Sequence, residues 1–490
     1  MADWGSRNYT SATFYFLNTR MWELLAGSIL AYLEISKGHR SQNKTLNLIL
    51  PSIGLFLIAH SILFFNEEMF HPSFRTLTPV IGTCLIIWFS EKDELITKIL
   101  STKSLVGIGL ISYSLYLWHY PFFAFDRLIE FTEGNLFKKS LLLITILISS
   151  IFSFYFIERP ARNNKKNFKA IISFILISIF ILVVYNFNIL QKEGYKNRVS
   201  EIVRQNFSDI SQRPWILLKN SDGSYCHDNI NACKFNTSSN KKVYVVGDSI
   251  MGALIFDLKD KVIKNNYQFI TMTAGACLYF PGFNQVQVTT QKKLDCNNIY
   301  FQKIKKILKN ENNSIIIFGG RWPLYLTNKF HNIGEGRFEL RFVSSGKHKT
   351  IQSSFKNEVI ELSRNNKIIL VYPIPEAYVY VSNKLNIYLN SLPKNVNKKK
   401  ISIKDYFTSS YEVYRERTKT SFELLNSIKG KNIYKVYPHE LFCNTVIKER
   451  CLTHDDRNLF YHDWSHPSKK GADMINNLIM KEIKKIELAP

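Results

Sequence analysis

The stretch KKVYVVGDSIMGALIFDL, residues 241–258, predicts a strand followed directly by a helix. Its apolar run 243–246 ends abruptly at Gly247-Asp248-Ser249, and a helix-like pattern follows. Continuous apolar runs of this length are typical of strands that are buried on both faces of a sheet. Ser249 at such a turn has two interpretations: it is a nucleophile, or it only caps the helix.

Similar apolar runs recur through the second half of the chain, separated by polar segments with helical patterns. This alternation predicts an α/β fold with a doubly wound parallel sheet, in which ligands bind at the carboxyl ends of the strands. Gly275 follows the second run and Gly319-Gly320-Arg321-Trp322 follows the third, so these residues are expected at one rim with Ser249. The further runs are 268–272, 314–318, 367–372 and 433–437.

The stretch YHDWSHPSKKGA, residues 461–472, contains a carboxylate and an imidazole three residues apart, Asp463 and His466. In a turn, this spacing lets the carboxylate hydrogen-bond one ring nitrogen while the other nitrogen faces outward. A serine hydroxyl needs such an oriented base to become a nucleophile. A final helix is predicted at about 468–487.

Together these motifs resemble the SGNH/GDSL hydrolase superfamily over residues 241–487. They are Gly-Asp-Ser after the first strand, a glycine after the second and Asp-x-x-His before the last helix. The resemblance implies that Ser249 is the nucleophile, His466 the base and Asp463 its orienter. It also implies that the amides of Ser249 and Gly275 donate hydrogen bonds to the oxyanion.

One position departs from that superfamily, because the asparagine expected after the third strand is absent. Gly319-Gly320-Arg321-Trp322 stands there instead. Either Arg321 replaces the asparagine as an oxyanion donor, or one donor is lost. Loss of one donor slows such sites by a factor on the order of 100–1000.

The composition of the 490-residue chain changes near residue 190 and allows two to four domains. Residues 1–190 are rich in Leu, Ile and Phe, whereas residues 191–490 are polar and rich in Lys and Asn. The formal net charge is +25, but no basic stripe is interleaved with aromatic residues, so nucleic acid is not an expected partner.

Six of the seven cysteines lie in the polar half, and only Cys84 lies in an apolar run. An even count in one domain fits an oxidising compartment. Six cysteines allow fifteen pairings, and proximity favours 226–233, 277–296 and 443–451. Because no Cys-x-x-Cys motif is present, no metal site is predicted.

The apolar half contains six segments whose lengths are suited to membrane-spanning helices. The basic loops 35–45, 91–103 and 158–168 alternate with the less basic loops 66–75 and 127–139, which predicts that the former are cytoplasmic. The polar half is then expected outside the cytoplasm, and no signal peptide is predicted in the polar first residues. The segments are 12–34, 46–65, 76–90, 105–125, 138–157 and 169–190.

Three polar residues of these segments are candidate functional residues. Arg20 and Glu23 are three apart and can pair on one helical face, either inside the bundle or at the membrane surface. His119 stands two residues before Pro121, near an expected helix end, where it is either a proton carrier or a polar cap.

Three stretches of the apolar half strongly resemble the later membrane helices of the acyltransferase-3 family. They are FYFLNTRMWELLAGSILAYLE (14–34), LVGIGLISYSLYLWHYPFFAF (105–125) and FYFIERPAR (154–162). The resemblance implies four parts of the chain. They are a partial acyltransferase-3 domain of five helices (1–168), a linking transmembrane helix (169–190), a linker (191–240) and an extracytoplasmic SGNH-like domain (241–490).

The early helices of that family, with their His and Arg-rich motif, are not found here. Met1 is therefore expected to mark a truncated gene, a misassigned start or a separately encoded half, which would make the missing half a partner.

The two resemblances together imply a multi-pass protein of the bacterial inner membrane with a periplasmic SGNH-like domain. Its expected activity is O-acylation, usually O-acetylation, of envelope carbohydrate such as lipopolysaccharide O-antigen, another surface polysaccharide or peptidoglycan. No cofactor is expected to be bound, and the acyl donor is expected to be cytoplasmic acetyl-CoA. The alternatives are an acetyl esterase, a non-catalytic carbohydrate-binding module or a degenerate fragment.

Overall fold

The computed structural model describes residues 2–66, 69–92, 94–129, 131–132, 135–163, 168–195, 198–206, 218–229, 231–287, 296–327, 340–391 and 407–488. The chain divides into two compact units, Met1–Phe187 and Asn188–Pro490.

The first unit is helical. A 3₁₀ turn, Phe74–Thr76, precedes the fifth helix, and a π-helical turn, Phe154–Glu158, joins the eighth helix to the ninth. Its described helices are α1 Ala2–Asn8, α2 Thr10–Tyr15, α3 Leu17–Lys37, α4 Lys44–Phe64, α5 Leu77–Phe89, α6 Leu95–Leu100, α7 Lys103–Ile129, α8 Leu136–Ser153, α9 Arg159–Asn163 and α10 Phe168–Gln191.

Each of the six predicted apolar segments contains most of one helix, namely α3, α4, α5, α7, α8 and α10. The first segment, 12–34, is interrupted at Phe16, where α2 ends and α3 begins. Within the described part of the chain, three helical stretches are long and apolar enough to cross a membrane, and one apolar helix is shorter. The three are Lys44–Phe64, Leu136–Arg162 and Ile171–Gln191, and the shorter one is Phe74–Phe89. The crossing number and the direction of each crossing remain predictions.

Helices α4 and α5 approach each other closely at a pair of glycines. A Cβ atom on Gly54 would lie 2.6 Å from the carbonyl oxygen of Gly82, and one on Gly82 would lie 2.7 Å from the carbonyl oxygen of Gly54. Neither position accommodates a larger residue without a backbone shift. Small residues that allow such close approach are typical of helix packing in membranes.

The second unit is built on a six-stranded sheet with the order β1-β3-β2-β5-β7-β9. The five strands predicted from apolar runs all form and are mutually parallel, which confirms the predicted fold class. The shorter first strand pairs antiparallel at the edge. The six strands are β1 Cys233–Phe235, β2 Lys242–Gly247, β3 Gln268–Thr273, β5 Ile315–Gly319, β7 Lys367–Val371 and β9 Ile433–Val436.

Helices cover both faces of this sheet, as the continuous apolar strands require. Val243 and Val245 face the cluster that includes the helices Ser249–Lys264 and Lys469–Leu488. Tyr244 and Val246 face the cluster that includes the helices Asn298–Lys309 and Ile351–Leu362. The helices of the unit are α11 Glu201–Gln205, α12 Ser249–Lys264, α13 Asn298–Lys309, α14 Trp322–Leu326, α15 Ile351–Leu362, α16 Val381–Ser391, α17 Tyr411–Ser427, α18 His439–Phe442 and α19 Lys469–Leu488.

In the described part of the unit, two small antiparallel ribbons and three disulfides accompany the sheet. The ribbons pair β4 with β6 and β8 with β10. Their strands are β4 Phe283–Gln287, β6 Leu340–Ser344, β8 Thr408–Ser410 and β10 Arg450–Leu452. The predicted cysteine pairing is confirmed, because the disulfides join Cys226 to Cys233, Cys277 to Cys296 and Cys443 to Cys451.

The structure differs from the sequence analysis in the segment 191–240, which was assigned to a linker. Part of it belongs to the folded unit: β1 joins the sheet, and Ile202 and Val203 are buried in the same cluster as α12 and α19. Cys226 and Cys233 are also fully buried. A three-residue edge strand has too little apolar pattern to be recognised, so only its disulfide pointed to this packing.

Candidate active site

Ser249 is the first residue of α12, immediately after the turn that ends β2. The N-cap of the helix is Asp248, whose Oδ1 accepts a hydrogen bond from the amide of Ile250 at 2.9 Å. Asp248 therefore fills the capping role that was one of the two interpretations of Ser249. Ser249 is left with a partly exposed side chain at the carboxyl end of a central strand.

Gly247 allows this turn to lie against the neighbouring strand β5. A Cβ atom on Gly247 would lie 2.2 Å from the carbonyl oxygen of Gly319, the residue opposite in the sheet. Any side chain at this position would push the two strand ends apart. The glycine before Asp-Ser is thus needed for the close approach that sets the position of Ser249.

His466 lies between Ser249 and Asp463. Its Nε2 is 2.9 Å from Ser249 Oγ, and its Nδ1 is 2.7 Å from Asp463 Oδ2. The structure therefore brings together the three side chains that the sequence analysis indicates, with one ring nitrogen at the carboxylate and the other at Ser249. Their catalytic roles remain a prediction.

Asp463 is held in place by its own turn. Its Oδ1 accepts hydrogen bonds from the amides of Ser465 and His466, both at 2.8 Å, which leaves Oδ2 directed at the imidazole. Burial disfavours the charged carboxylate, but the hydrogen bond and the charge of His466 outweigh it and lower the pKa of Asp463. An ionised Asp463 keeps the Nδ1 proton of His466 on its own side, so that Nε2 is free to accept the proton of Ser249.

Asp248 is a second buried carboxylate beside Ser249, with 1% of its surface exposed. Besides capping α12, it accepts hydrogen bonds through Oδ2 from the amide of Arg321 at 2.8 Å and the hydroxyl of Tyr325 at 2.9 Å. Burial raises the pKa of Asp248, although these three donors act in the opposite direction. Asp248 thereby ties the turn after β2 to the turn after β5.

Gly275 lies beyond the end of β3, at the expected rim, but its amide has a partner that the sequence analysis did not anticipate. That amide donates a hydrogen bond to Asp228 Oδ1 at 2.6 Å. Asp228 lies in the segment before β1, and 68% of its side chain is exposed. The carboxylate of Asp228 therefore accepts a hydrogen bond from one of the two backbone amides that are predicted to bind the oxyanion.

Arg321 follows β5 as expected, and its guanidinium is paired with a buried carboxylate. Its Nε and one terminal nitrogen bind the two carboxylate oxygens of Glu376 at 3.0 and 2.7 Å. Glu376 also accepts a hydrogen bond from Arg417 at 2.7 Å. Burial opposes ionisation of Glu376, yet the two guanidinium groups lower its pKa.

These contacts give no support to Arg321 as a replacement for the missing asparagine. A bidentate pair with a buried carboxylate is geometrically specific and costly to break. We interpret Arg321 as a residue that joins the rim to the segment around Glu376, while its amide holds Asp248.

The family model described as "SGNH domain (fused to AT3 domains)" matches residues 219–481, more than half of the chain. The chain belongs to this family. The match begins before β1, in agreement with the packing of the predicted linker into the folded unit. The description also names the acyltransferase-3 fusion that the helical half resembles.

Two curated relatives of this SGNH protein carry names that describe acetyl transfer. Peptidoglycan O-acetyltransferase OatA of Listeria monocytogenes is 28% identical over 161 residues, 31% of this chain and 26% of the relative. O-acetyltransferase OatA of Staphylococcus aureus is 31% identical over 171 residues, 33% of this chain and 27% of the relative. The alignments thus span about a quarter of each relative.

A solved structure of the periplasmic domain of a lipopolysaccharide acetyltransferase from Salmonella ser. Paratyphi A also aligns with this SGNH protein. The alignment covers 58% of this chain and 98% of that domain, with 17% sequence identity and a TM-score of 0.38.

In the helical unit, Arg20 and Glu23 form the predicted pair on α3, with 3.5 Å between the guanidinium and the carboxylate. Their side chains are 45% and 20% exposed, respectively. Arg20 also lies 5.0 Å from the centre of the Phe14 ring. Within the described residues, the other carboxylate oxygen of Glu23, Oε1, is buried without a hydrogen-bond partner. Both proposed settings, bundle interior and membrane surface, remain open.

His119 is not near a helix end, contrary to the sequence analysis. Helix α7 runs from Lys103 to Ile129 and includes Pro121 in its interior, as membrane helices tolerate. Nδ1 of His119 lies 3.3 Å from the carbonyl oxygen of Leu115, one turn earlier. The capping role is therefore excluded, and the proton-carrier role remains a prediction.

A polar contact in the helical unit was missed by sequence reasoning. Ser114 on α7 donates a hydrogen bond to Glu158 at 2.8 Å, and Glu158 is also paired with Arg162 at 2.8 Å. Glu158 belongs to the π-helical turn between α8 and α9. Ser114 and Glu158 lie in two of the stretches that resemble the acyltransferase-3 family, but their separation in the sequence does not indicate that they are in contact.

Among the residues that the structure describes, no group of three or more His, Cys, Asp or Glu side chains is arranged to hold a metal ion.

Proposed function

We propose that this protein is a membrane-bound O-acyltransferase that uses an acyl-Ser249 intermediate to transfer an acyl group, in the simplest case acetyl, to a hydroxyl of bacterial envelope carbohydrate. The observation that carries the proposal is the hydrogen-bonded series from Ser249 through His466 to Asp463, with distances of 2.9 and 2.7 Å. The names of the two relatives support acetyl transfer, and the first of them supports peptidoglycan as one class of acceptor.

In the first half-reaction, a bond forms between Ser249 Oγ and the acyl carbon, and the hydroxyl proton moves to His466 Nε2. The bond from the acyl carbon to the donor breaks, and the departing donor atom takes that proton. The product is acyl-Ser249. Asp463 stabilises the imidazolium in this step through its 2.7 Å contact with Nδ1.

In the second half-reaction, a sugar hydroxyl loses its proton to His466 Nε2 and its oxygen bonds to the acyl carbon. The Ser249–acyl bond breaks, and Ser249 recovers the proton. The overall result is an acylated sugar and a free enzyme, with water as the competing acceptor. The proposed source of the acyl group is cytoplasmic acetyl-CoA, reached through the helical half and any separately encoded partner helices.

The assay that tests this proposal uses the full-length protein in detergent, with p-nitrophenyl acetate as donor and an N-acetylglucosamine pentasaccharide as acceptor. We expect mass spectrometry to detect O-acetylated sugar, and the acetylated fraction to rise with acceptor concentration. Release of p-nitrophenol with no acetylated sugar at any acceptor concentration would identify an esterase instead. A folded protein that neither cleaves the ester nor reacts at Ser249 with a serine-directed fluorophosphonate would contradict both activities.

The proposal also includes a location: the helices span the inner membrane and the SGNH domain lies in the periplasm. We expect a reporter that is active only in the cytoplasm to be silent when fused after Pro490, because the basic loops alternate along the helical half. The matched control is a fusion in the loop 91–103, which carries Lys92, Lys98 and Lys103 and should be active. Strong activity of the fusion after Pro490 would contradict this topology.

A further inference from the structure

The carboxylate of Asp228 binds a backbone amide, that of Gly275, which the proposed reaction needs. Its Oδ1 accepts a hydrogen bond from the amide of Gly275 at 2.6 Å. In the proposed reaction that amide must donate to the oxyanion of the tetrahedral intermediate. The carboxylate and the oxyanion cannot share a position, and two adjacent negative charges repel each other.

The backbone around Asp228 is fixed to the sheet. The amide of Asp228 donates to the carbonyl oxygen of Thr273 at 3.0 Å, and the buried ring of His227 lies 3.2 Å, through Nδ1, from Thr273 Oγ1. Cys226, two residues before Asp228, is joined by a disulfide to Cys233 on β1. This anchoring keeps Asp228 beside the end of β3, next to Gly275.

The side chain of Asp228, in contrast, is 68% exposed. Besides its bond to the Gly275 amide, Oδ1 of Asp228 lies 3.8 Å from Nε2 of the buried His227. Because most of the side chain faces solvent, rotation about its side-chain bonds is the simplest way to remove the carboxylate from Gly275. The contact therefore combines a fixed backbone with an exposed charged group, at the rim where β2 and β3 end.

We propose that Asp228 makes the site dependent on the acceptor: its carboxylate occupies the Gly275 amide in the resting protein, and hydroxyl groups of the bound sugar draw it away. This inference rests on the proposed function and assigns Asp228 as a residue that recognises a hydroxyl-rich acceptor. A carboxylate is a strong hydrogen-bond acceptor for paired sugar hydroxyls. The Gly275 amide then becomes available to the oxyanion only when the acceptor is present, so that little acyl group is lost to water.

The test compares Asp228→Ala, Asp228→Asn and the matched control Asp222→Asn in the full-length protein in detergent. Asp222 is an exposed carboxylate in the same segment whose described contacts are with Ser224 and Asn220. Without acceptor, we expect Asp228→Ala to cleave p-nitrophenyl acetate at least about tenfold faster than the wild type, since one oxyanion donor is worth on the order of 100–1000-fold. Asp228→Asn, which removes the charge, should also be faster, and Asp222→Asn should match the wild type.

Addition of the N-acetylglucosamine pentasaccharide should then accelerate the reaction of Ser249 with a fluorophosphonate in the wild type but not in Asp228→Ala. If the wild type is active and a folded Asp228→Ala variant cleaves p-nitrophenyl acetate no faster than the wild type, the inference is overturned. The proposed function is left intact by that result. A slower Asp228→Ala with a normal Asp228→Asn would also overturn the inference, because that pattern means that Asp228 only positions Gly275. A wild type that is inert and unlabelled would overturn the inference together with the proposed function.

Discussion

Replacing Ser249 with alanine is expected to lower acetyl-ester cleavage by a factor on the order of 10³ to 10⁶. The reason is that alanine has no hydroxyl oxygen that could bond to the acyl carbon. In the wild type, that oxygen is Ser249 Oγ, which lies 2.9 Å from His466 Nε2. The measurement is the initial rate of p-nitrophenyl acetate cleavage by the full-length protein, after circular dichroism has shown that the variant is folded. Folding should survive, because Asp248 rather than Ser249 caps α12.

His466→Ala should lose a similar factor, since the hydroxyl of Ser249 is a weak nucleophile without a base. Residues that act as one unit are not additive, so the double variant should be little slower than either single variant. Ser238→Ala is the matched control, because Ser238 is exposed and its described side-chain contact is with Asn236. Losses that multiply in the double variant, or a Ser249→Ala variant at the wild-type rate, would rule out the acyl-Ser249 mechanism.

Asp463→Asn is expected to lower the same rate by a factor on the order of 10² to 10⁴, less than Ser249→Ala. The turn itself determines how the new amide lies. Oδ1 of residue 463 accepts from two backbone amides, so the oxygen of asparagine should keep that place. Its NH₂ group then faces Nδ1 of His466, where Asp463 Oδ2 now accepts at 2.7 Å.

An NH₂ donor facing Nδ1 requires that nitrogen to be the acceptor of the ring. The ring proton then moves to Nε2, and His466 can no longer take the proton of Ser249. The effect is therefore a loss of the base with the local fold retained, which the rate and the circular dichroism spectrum measure together. Asp260→Asn, which changes a 68% exposed carboxylate on α12, is the matched control. A variant Asp463→Asn with the wild-type rate would show that the carboxylate does not orient His466.

Much of the SGNH domain was predictable from short segments of sequence. Strands β2, β3, β5, β7 and β9 are runs of apolar residues, and burial on both faces of a parallel sheet requires such runs. The disulfides join cysteines that are near neighbours in the chain. Ser249 is recognisable because it follows a predicted strand, and Asp463 and His466 because of their Asp-x-x-His spacing before the last predicted helix.

Contacts between distant segments were not predictable in the same way. The edge strand β1 is three residues long, and nothing in its composition indicates pairing with β3. The end of α7 was misjudged because Pro121 usually stops a helix in water, whereas it is tolerated inside this apolar helix. The ion pair of Arg321 with Glu376 joins residues that are 55 positions apart. Because the chain has many Lys, Arg, Asp and Glu residues, charge alone does not predict which of them form a pair.

The sequence by itself therefore determined the apolar helices, the parallel sheet and the choice of Ser249, Asp463 and His466 as candidate site residues. These features depend on the local spacing of residue types, since hydrophobic burial acts on every segment in proportion to its apolar surface. Only the tertiary structure decided that Asp248 caps α12, that Arg321 binds Glu376 and that Asp228 occupies the amide of Gly275. A hydrogen bond requires its two atoms to be within about 3 Å of each other, and the packing of whole strands and helices sets that distance.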